Sequence, residues 1–282
     1  MAWAEFIRVC VDASKRHIMI KSLSFARSSN MFDKYKNLFL FLSITFLIPI
    51  ISVYLQILTK SPIIKFILYG IEAAAPSIAT IIIIGKNKSF KSFFTENFRT
   101  KRMLAACILP VVIAFTTMFL TKIIACFFLR EHFALCSIPI TQAIIISWAF
   151  IAEELGWRGY LQPFLCKQMK KTYLAPFVVG SIWCLWHYHY FLFGEMQVPL
   201  VWFFIGCIVE SCIYSWLLNW SAHNLLSSMM YHMAWNLFIH VFAINPVDNR
   251  GNTLSYIVLG VVEIQICFLL FFLRKVRTKE KN

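Results

Sequence analysis

The chain has 282 residues, of which 60% are hydrophobic and only 14% are charged. Its mean hydropathy is +0.70, whereas soluble domains are about 45–50% apolar and about 25% charged. This composition excludes a disordered chain and a nucleic-acid-binding domain, and it nearly excludes a soluble enzyme. It predicts an all-α, polytopic membrane protein.

Long apolar runs predict a bundle of about eight transmembrane helices. Prolines within or at the start of these runs are compatible with spans, because neighbouring helices satisfy the backbone groups that they free. The sequence therefore divides into a basic N-terminal segment (1–36), a transmembrane bundle (37–273) and a basic tail (274–282). The predicted spans are 38–59, 62–85, 103–129, 139–166, 174–194, 198–217, 222–243 and 254–273.

The basic residues are distributed unequally between the two sides of this bundle. The chain has 27 Lys and Arg residues, and 21 of them fall in the N-terminal segment, loops 86–102 and 167–173, and the tail. Loops on the other side carry Lys60, Arg130 and Arg250. The positive-inside rule therefore predicts that both termini are cytoplasmic. The expected location is the cell membrane, as a multi-pass protein, or an internal membrane in a eukaryote.

Ionisable residues inside a bilayer are costly, so each marks a potential functional site. The densest group lies in the fourth predicted span and contains Glu153, Glu154 and Arg158. Glu154 precedes Arg158 by four residues, which suits an ion pair within one helix. Glu153 lies about 100° around the helix from Glu154. It therefore requires a partner of its own or a water-filled cavity.

Histidines and an asparagine bring further polar groups into the fifth and seventh predicted spans. His187 and His189 face different directions on a helix, so at most one of them faces a shared site. His232 and Asn236 are four residues apart and share a face. At about 1.5 Å per residue, His187, this pair and Glu153 lie about 15–21 Å from the predicted cytoplasmic ends of their helices. Similar depths on three helices favour one buried site over separate packing contacts.

The residue types at this site indicate hydrolysis of an amide bond. A carboxylate in a low-dielectric pocket becomes a better general base. Glu153 is expected to take a proton from a water held by His187, while His232 and Asn236 donate to the oxyanion. No Ser or Cys stands out as a nucleophile, so water attacks directly. The alternative is an open Zn²⁺ site ligated by Glu153, His187 and His232, although the chain has no HExxH motif.

Three motifs follow one another along the chain: Glu153-Glu154-x-x-x-Arg158, Trp183-x-x-x-His187 and His232-x-x-x-Asn236. Their order and spacing resemble those of the CPBP family. This is the intramembrane endopeptidase family of CAAX prenyl proteases and bacteriocin-processing or immunity proteins, also called Abi. The resemblance covers a core at about 139–243, while the other spans match only as generic apolar helices.

The resemblance implies a glutamic-type intramembrane protease. Glu153 is then the catalytic glutamate, His187 helps to activate the water, and His232 with Asn236 stabilises the oxyanion. Glu154 and Arg158 support the site. Such an enzyme needs no cofactor, although a zinc-dependent version is the alternative. The implied substrate is a membrane-associated or lipidated peptide or protein, processed by CAAX-type or leader-type cleavage.

Two other classes of function compete with a protease. An ion-coupled transporter also carries ionisable groups within its spans, but such proteins usually show an internal repeat, and none is evident here. A catalytically silent immunity or scaffold protein would share the fold without the activity. Structural roles are favoured for Glu72, Glu210 and Glu263, with Lys65 or hydroxyls as partners, although snorkelling or lining the cavity are alternatives. His189 has no assigned role, and His240 is a candidate for an outer layer of the site.

Overall fold

The computed structural model describes residues 31–87, 89–98, 103–169, 171–193 and 196–279, except for the side chains of residues 31–34 and 274–279. Residues 1–30 of the predicted N-terminal segment and residues 280–282 of the predicted tail lie outside these residues. Of the described residues, 81% are helical and none lies in a strand, which confirms the all-α class. The helices are α1 (Met31–Leu58), α2 (Pro62–Ala73), α3 (Ala75–Lys86), α4 (Phe90–Asn97), α5 (Met103–Leu129), α6 (Ile140–Ala152), α7 (Glu154–Gly156), a π-helical turn (Trp157–Leu161), α8 (Gln162–Gln168), a 3-10 turn (Thr172–Leu174), α9 (Ala175–Trp186), α10 (Tyr188–Leu192), α11 (Leu200–Trp220), α12 (Leu226–Val241) and α13 (Leu254–Lys279).

Proline sets the start of several of these helices. Pro62 and Pro76 lie in the first turns of α2 and α3, where the missing N–H has no intrahelical partner to lose. The side chain of Ser61 caps α2 by accepting a hydrogen bond from the backbone N–H of Ile64. The connection between α1 and α2 is therefore the tight hairpin that the short predicted loop requires.

Among the described residues, four single helices are long and apolar enough to cross a membrane. A fifth candidate is the pair α2 and α3, which bends by 61° at Ala74. The helix composition is therefore that of a multi-pass membrane protein. The number of eight spans and the cytoplasmic location of both termini stay predictions. The four helices contribute Tyr35–Leu58, Met103–Leu129, Leu200–Trp220 and Leu254–Leu273.

The prediction of continuous helices over 139–166 and 174–194 is wrong. The first run is divided at Glu153 and continues through the π-helical turn, and the second is divided at His187. The predicted span 222–243 is reduced to α12, whose 16 residues correspond to about 24 Å of helix. The breaks occur at polar side chains that make contacts with other helices, so tertiary interactions override the apolar pattern.

Glycine permits the closest approaches between helices in the core. A Cβ atom added to Gly156 would lie 2.5 Å from Cβ of Pro76, which places α7 directly against α3. A Cβ added to Gly180 would lie 2.7 Å from the carbonyl oxygen of Cys207, so α9 and α11 are similarly close. Small residues at such crossings are typical of membrane helices. These two contacts bring the broken segments near Glu153 and His187 into one layer.

A polar cluster joins the end of α5 to the start of α13. The buried ammonium of Lys122 lies 2.9 Å from Oε2 of Glu131. Oε1 of Glu131 accepts hydrogen bonds from Asn249, Asn252 and Ser255 at 3.0, 2.9 and 2.7 Å. Burial by itself raises the pKa of Glu131, but the hydrogen bonds from Ser255 and Lys122, with others, bring the net pKa below its ordinary value. The cluster therefore provides an ion-pair partner for Lys122, a lysine that lies within a predicted span.

Candidate active site

Glu153 occupies the break between α6 and α7, and its carboxylate is held from one side. Nε1 of Trp183 and Nε1 of Trp157 both donate hydrogen bonds to Oε2, at 2.7 and 3.1 Å. Oε1 lies 3.8 Å from Nε2 of His232, too far for a direct hydrogen bond. Only 7% of Glu153 is exposed. Two indoles therefore fix the orientation of the carboxylate and leave its second oxygen available.

Glu154 lies behind Glu153 and connects Arg158 with His232. Oε1 of Glu154 accepts a hydrogen bond from Nη1 of Arg158 at 2.9 Å, which is the ion pair predicted from the spacing. The same oxygen lies 2.9 Å from Nδ1 of His232. Removing one member of such a buried network leaves an uncompensated charge, which costs about 3–5 kcal/mol. Glu154 and Arg158 therefore fix the position of His232.

The guanidinium of Arg158 is enclosed by aromatic rings and by α11. Its centre lies 3.7 Å from the ring centroid of Tyr214 and 4.5 Å from that of Trp183. Nη2 donates to Oγ of Ser211 at 3.2 Å. Arg158 lies in the π-helical turn Trp157–Leu161, and such turns are frequent at functional sites. The turn aims Trp157 and Arg158 at different carboxylates of the site.

His187 lies at the second break, between α9 and α10. Its Nδ1 is 2.8 Å from the carbonyl oxygen of Trp183. A carbonyl oxygen only accepts, so Nδ1 carries the proton, and Nε2 of the neutral ring remains an acceptor. The ring packs against Phe203, with centroids 5.0 Å apart. His187 is therefore oriented as an acceptor for a water or a substrate N–H.

One cavity of about 890 Å³ brings the predicted catalytic side chains together. Glu153, His187, His232 and Asn236 all line it, whereas Glu154 and Arg158 do not. His187 lies in the cavity wall and His189 does not, although the break at His187 means that the two residues are not on one continuous helix. The rest of the lining is largely apolar and comes mainly from α2, α6, α11 and α12.

The remaining ionisable groups divide between structural contacts and the cavity. Glu72 lies 2.9 Å from Nε2 of His189, and its other oxygen accepts a hydrogen bond from Gln56 at 2.7 Å. The expected partners of Glu72, Lys65 or hydroxyls, are therefore wrong. His240 lies 2.6 Å from Asp248 through Nδ1 and also lines the cavity.

Sequence reasoning missed the two tryptophans as hydrogen-bond donors. Trp183 was identified only as the bulky aromatic of its motif, and Trp157 was not identified. Tryptophan differs from phenylalanine by its N–H, which usually finds an acceptor when buried. The signal was present in the position of Trp157, four residues after Glu153 on the same helical face.

Metal dependence through Glu153, His187 and His232 stays a prediction of the sequence. Among the residues that the structure describes, no three His, Cys, Asp or Glu side chains are grouped so that they hold a metal ion. The nitrogen Nδ1 of His232 contacts Glu154, and Nδ1 of His187 contacts a backbone carbonyl. Glu153, His187 and His232 share a cavity but do not form a three-ligand cluster.

Comparison with known proteins agrees with this geometry. Residues 135–238 match the family model described as type II CAAX prenyl endopeptidase Rce1-like. No curated protein matches the chain. The matched region holds every residue of the three motifs and most of the cavity wall described above. Over residues 135–238, the chain is therefore similar to the CAAX protease family that its motifs predict.

Proposed function

We propose that the chain is an intramembrane endopeptidase in which Glu153 activates a water molecule. The observation that carries this proposal is the convergence of Glu153, His187, His232 and Asn236 on one buried cavity. The match to endopeptidases over the same residues supports it. A packing role does not require a free carboxylate oxygen and an acceptor nitrogen at the wall of a cavity.

In the proposed reaction, water lies between Oε1 of Glu153 and Nε2 of His187. Glu153 takes a proton from the water while the water oxygen forms a bond to the carbonyl carbon of the peptide. The carbonyl oxygen becomes an oxyanion. When the tetrahedral intermediate collapses, the carbon–nitrogen bond breaks and Glu153 returns the proton to the departing amine.

His232 and Asn236 are the proposed donors to the oxyanion. Asn236 offers a neutral amide N–H. The Nδ1 of His232 faces Glu154, so the ring donates through Nε2 in its protonated form, which the adjacent carboxylate of Glu154 stabilises. Preorganised donors of this kind contribute about 2.7–4 kcal/mol each to the transition state. Glu154 and Arg158 thus act through His232 as positioning residues.

The proposed substrate is an apolar or lipidated peptide, with CAAX-type processing favoured by the family description. One wall of the cavity consists of residues from α2 and α6 that are also exposed on the outside of the bundle, such as Phe66, Ile144 and Trp148. Exposed apolar residues on a membrane protein face lipid. An acyl or prenyl chain therefore has an apolar route from the bilayer to Glu153, and leader-type processing uses the same route.

The test is cleavage of quenched, farnesylated peptides by purified protein in liposomes. Wild type is compared with Glu153→Gln, which preserves shape, and with Glu96→Gln, which removes a carboxylate from α4 outside the cavity. Each protein is assayed with and without a strong chelator. The proposal predicts cleavage by wild type and Glu96→Gln in both conditions, and none by Glu153→Gln.

Each of the other outcomes supports an alternative function or contradicts the proposed one. Loss of wild-type activity with chelator supports a metal-dependent site. Peptide binding without cleavage by wild type supports an immunity or scaffold protein. Proton-coupled solute uptake without cleavage supports a transporter. Full activity in Glu153→Gln contradicts the proposed role of Glu153.

A further inference from the structure

Glu210 is a buried acidic residue of the cavity that the proposed reaction does not use. It lies on α11, is only 5% exposed, and lines the same cavity as Glu153. Phe203 and Cys207 line the cavity as well, and their spacing from Glu210 places all three on one helical face. Phe203 packs against His187. The cavity therefore extends along α11, from His187 toward Glu210, over about 10 Å of helix.

The carboxylate of Glu210 has no hydrogen-bond or ion-pair partner among the described residues. Its electrostatic neighbours include Glu263, on α13, and Arg158. Glu263 accepts a hydrogen bond from Nε1 of Trp235 at 2.7 Å, so one of its oxygens has a donor. Burying an ionised carboxylate without a partner is costly. An ionised Glu210 therefore requires a cation that the described chain does not provide.

The charges around the cavity identify the chemistry of this partner. The described lining contains the carboxylates of Glu153 and Glu210 but no lysine or arginine. The cations beside these groups are already engaged, because Arg158 is bonded to Glu154 and Ser211 and the protonated ring of His232 contacts Glu154. With Glu154 and Glu263 directly behind the lining, the carboxylates outnumber the fixed cations. The missing group is therefore a cation that enters with the substrate.

We propose that Glu210, with Glu263 beside it, binds a basic side chain of the substrate peptide. The ligand is an ammonium or guanidinium group, which pairs strongly with a desolvated carboxylate. This inference rests on the proposed peptidase function and specifies its substrate. An extended peptide advances about 3.3–3.6 Å per residue, so the basic residue lies within about three positions of the scissile bond.

The test compares peptides that carry lysine or its neutral isostere norleucine at each of these positions. The kcat/KM ratio of the lysine to the norleucine peptide is measured for wild type, Glu210→Gln, Glu210→Asp and Glu96→Gln. At one position, wild type and Glu96→Gln are expected to favour lysine by about 30-fold or more. Glu210→Gln is expected to remove this preference while still cleaving the norleucine peptide, and Glu210→Asp is expected to keep part of it.

A binding measurement separates this inference from the proposed function. Fluorescence anisotropy measures the affinities of labelled, lipidated lysine and norleucine peptides for the Glu153→Gln protein, with and without the additional Glu210→Gln substitution. No cleavage is expected in either protein, so the lysine-to-norleucine ratio is one of binding affinities. A preference in binding without any cleavage by wild type overturns the peptidase function but supports the cation site. The cation site is overturned if the lysine-to-norleucine ratio is the same in proteins with Glu210 and with Glu210→Gln. It is also overturned if no position shows a preference for lysine, even if wild type cleaves every peptide.

Discussion

Two buried glutamate–histidine contacts lie beside broken helices, and of the two, the contact between Glu154 and His232 borders the cavity that Glu153 lines. Glu154 and His232 lie 2.9 Å apart, as do Glu72 and His189. The first pair adjoins Glu153, whose Oε1 is available to the cavity. In the second pair, Glu72 is occupied by His189 and Gln56. The residue types are the same, so access to the cavity distinguishes the pair beside the proposed catalytic Glu153 from the structural pair.

The surroundings of the two histidines strengthen this comparison. His189 is enclosed by Tyr190 and Trp186, with ring centroids 4.0 and 5.3 Å away. His232 also has aromatic neighbours, Trp183 and Tyr214, but its Nε2 faces Glu153 at a distance of 3.8 Å. A gap of this size admits a bridging water or a substrate oxygen. The sealed pair is therefore expected to affect stability, and the open pair to affect activity.

The largest expected effect is on stability, from His189→Leu. The substitution leaves Glu72 buried without its histidine, which costs about 3–5 kcal/mol. We expect a strongly lowered Tm in detergent and peptide cleavage within a few-fold of wild type below that temperature. Double substitution with Glu72→Leu restores much of the Tm if the cost arises from the unpaired charge. An unchanged Tm in His189→Leu would contradict the structural role.

The next effect is on activity, from His232→Ala. Losing an oxyanion donor lowers kcat by about 10²–10³-fold, equivalent to about 2.7–4 kcal/mol. Because His232 also contacts Glu154, His232→Gln serves as a second variant that keeps a hydrogen-bonding side chain. The measurement is kcat and KM on one lipidated peptide. A rise in KM with unchanged kcat would indicate substrate binding instead of transition-state stabilisation.

A smaller effect is expected from Trp183→Phe, which keeps an aromatic ring four residues before His187. It removes the 2.7 Å hydrogen bond to Glu153, and a hydrogen bond to a charged group contributes about 1.5–3 kcal/mol. We expect kcat/KM to fall about tenfold. Trp157→Phe removes the longer bond of 3.1 Å and is expected to have a weaker effect. A greater loss of kcat/KM in Trp157→Phe than in Trp183→Phe would contradict the expected order of the two hydrogen bonds.

The smallest effect concerns the Lys122–Glu131 cluster and its dependence on pH. The pKa of Glu131 lies below its ordinary value of 4.5 in the folded protein, because its hydrogen bonds and Lys122 outweigh the effect of burial. Because its pKa is lowered in the folded protein, ionised Glu131 stabilises the protein above about pH 4.5. This stabilisation is lost as the pH falls through the pKa of the folded protein. The expected contribution is about 1 kcal/mol or less. The Tm difference between wild type and Glu131→Gln should shrink on acidification, and a growing difference would contradict the sign.

Much of the helix layout follows from the sequence, because apolar runs determine where helices form. The predicted run 103–129 coincides with α5, and the run 198–217 differs from α11 by a few residues. The breaks at Glu153 and His187 were not predicted. They depend on contacts between helices, and a hydropathy pattern contains no information about them.

The candidate site was predictable where helical spacing determines geometry. Four-residue spacing gave the Glu154–Arg158 pair and the shared face of His232 and Asn236. The pair of Glu72 and His189 was not predictable, because its members are far apart in sequence and meet only through tertiary packing. The hydrogen bond from Trp183 to Glu153 likewise joins two helices.

The most direct measurement is a matched comparison of Glu153→Gln with Glu72→Gln in one preparation, by kcat/KM on a lipidated peptide and by Tm. Both substitutions replace a buried carboxylate with its neutral isostere. We expect Glu153→Gln to lose cleavage while keeping a Tm near that of wild type, and Glu72→Gln to lower the Tm while keeping cleavage. Retained cleavage in Glu153→Gln, or loss of cleavage in a folded Glu72→Gln protein, would contradict this expectation.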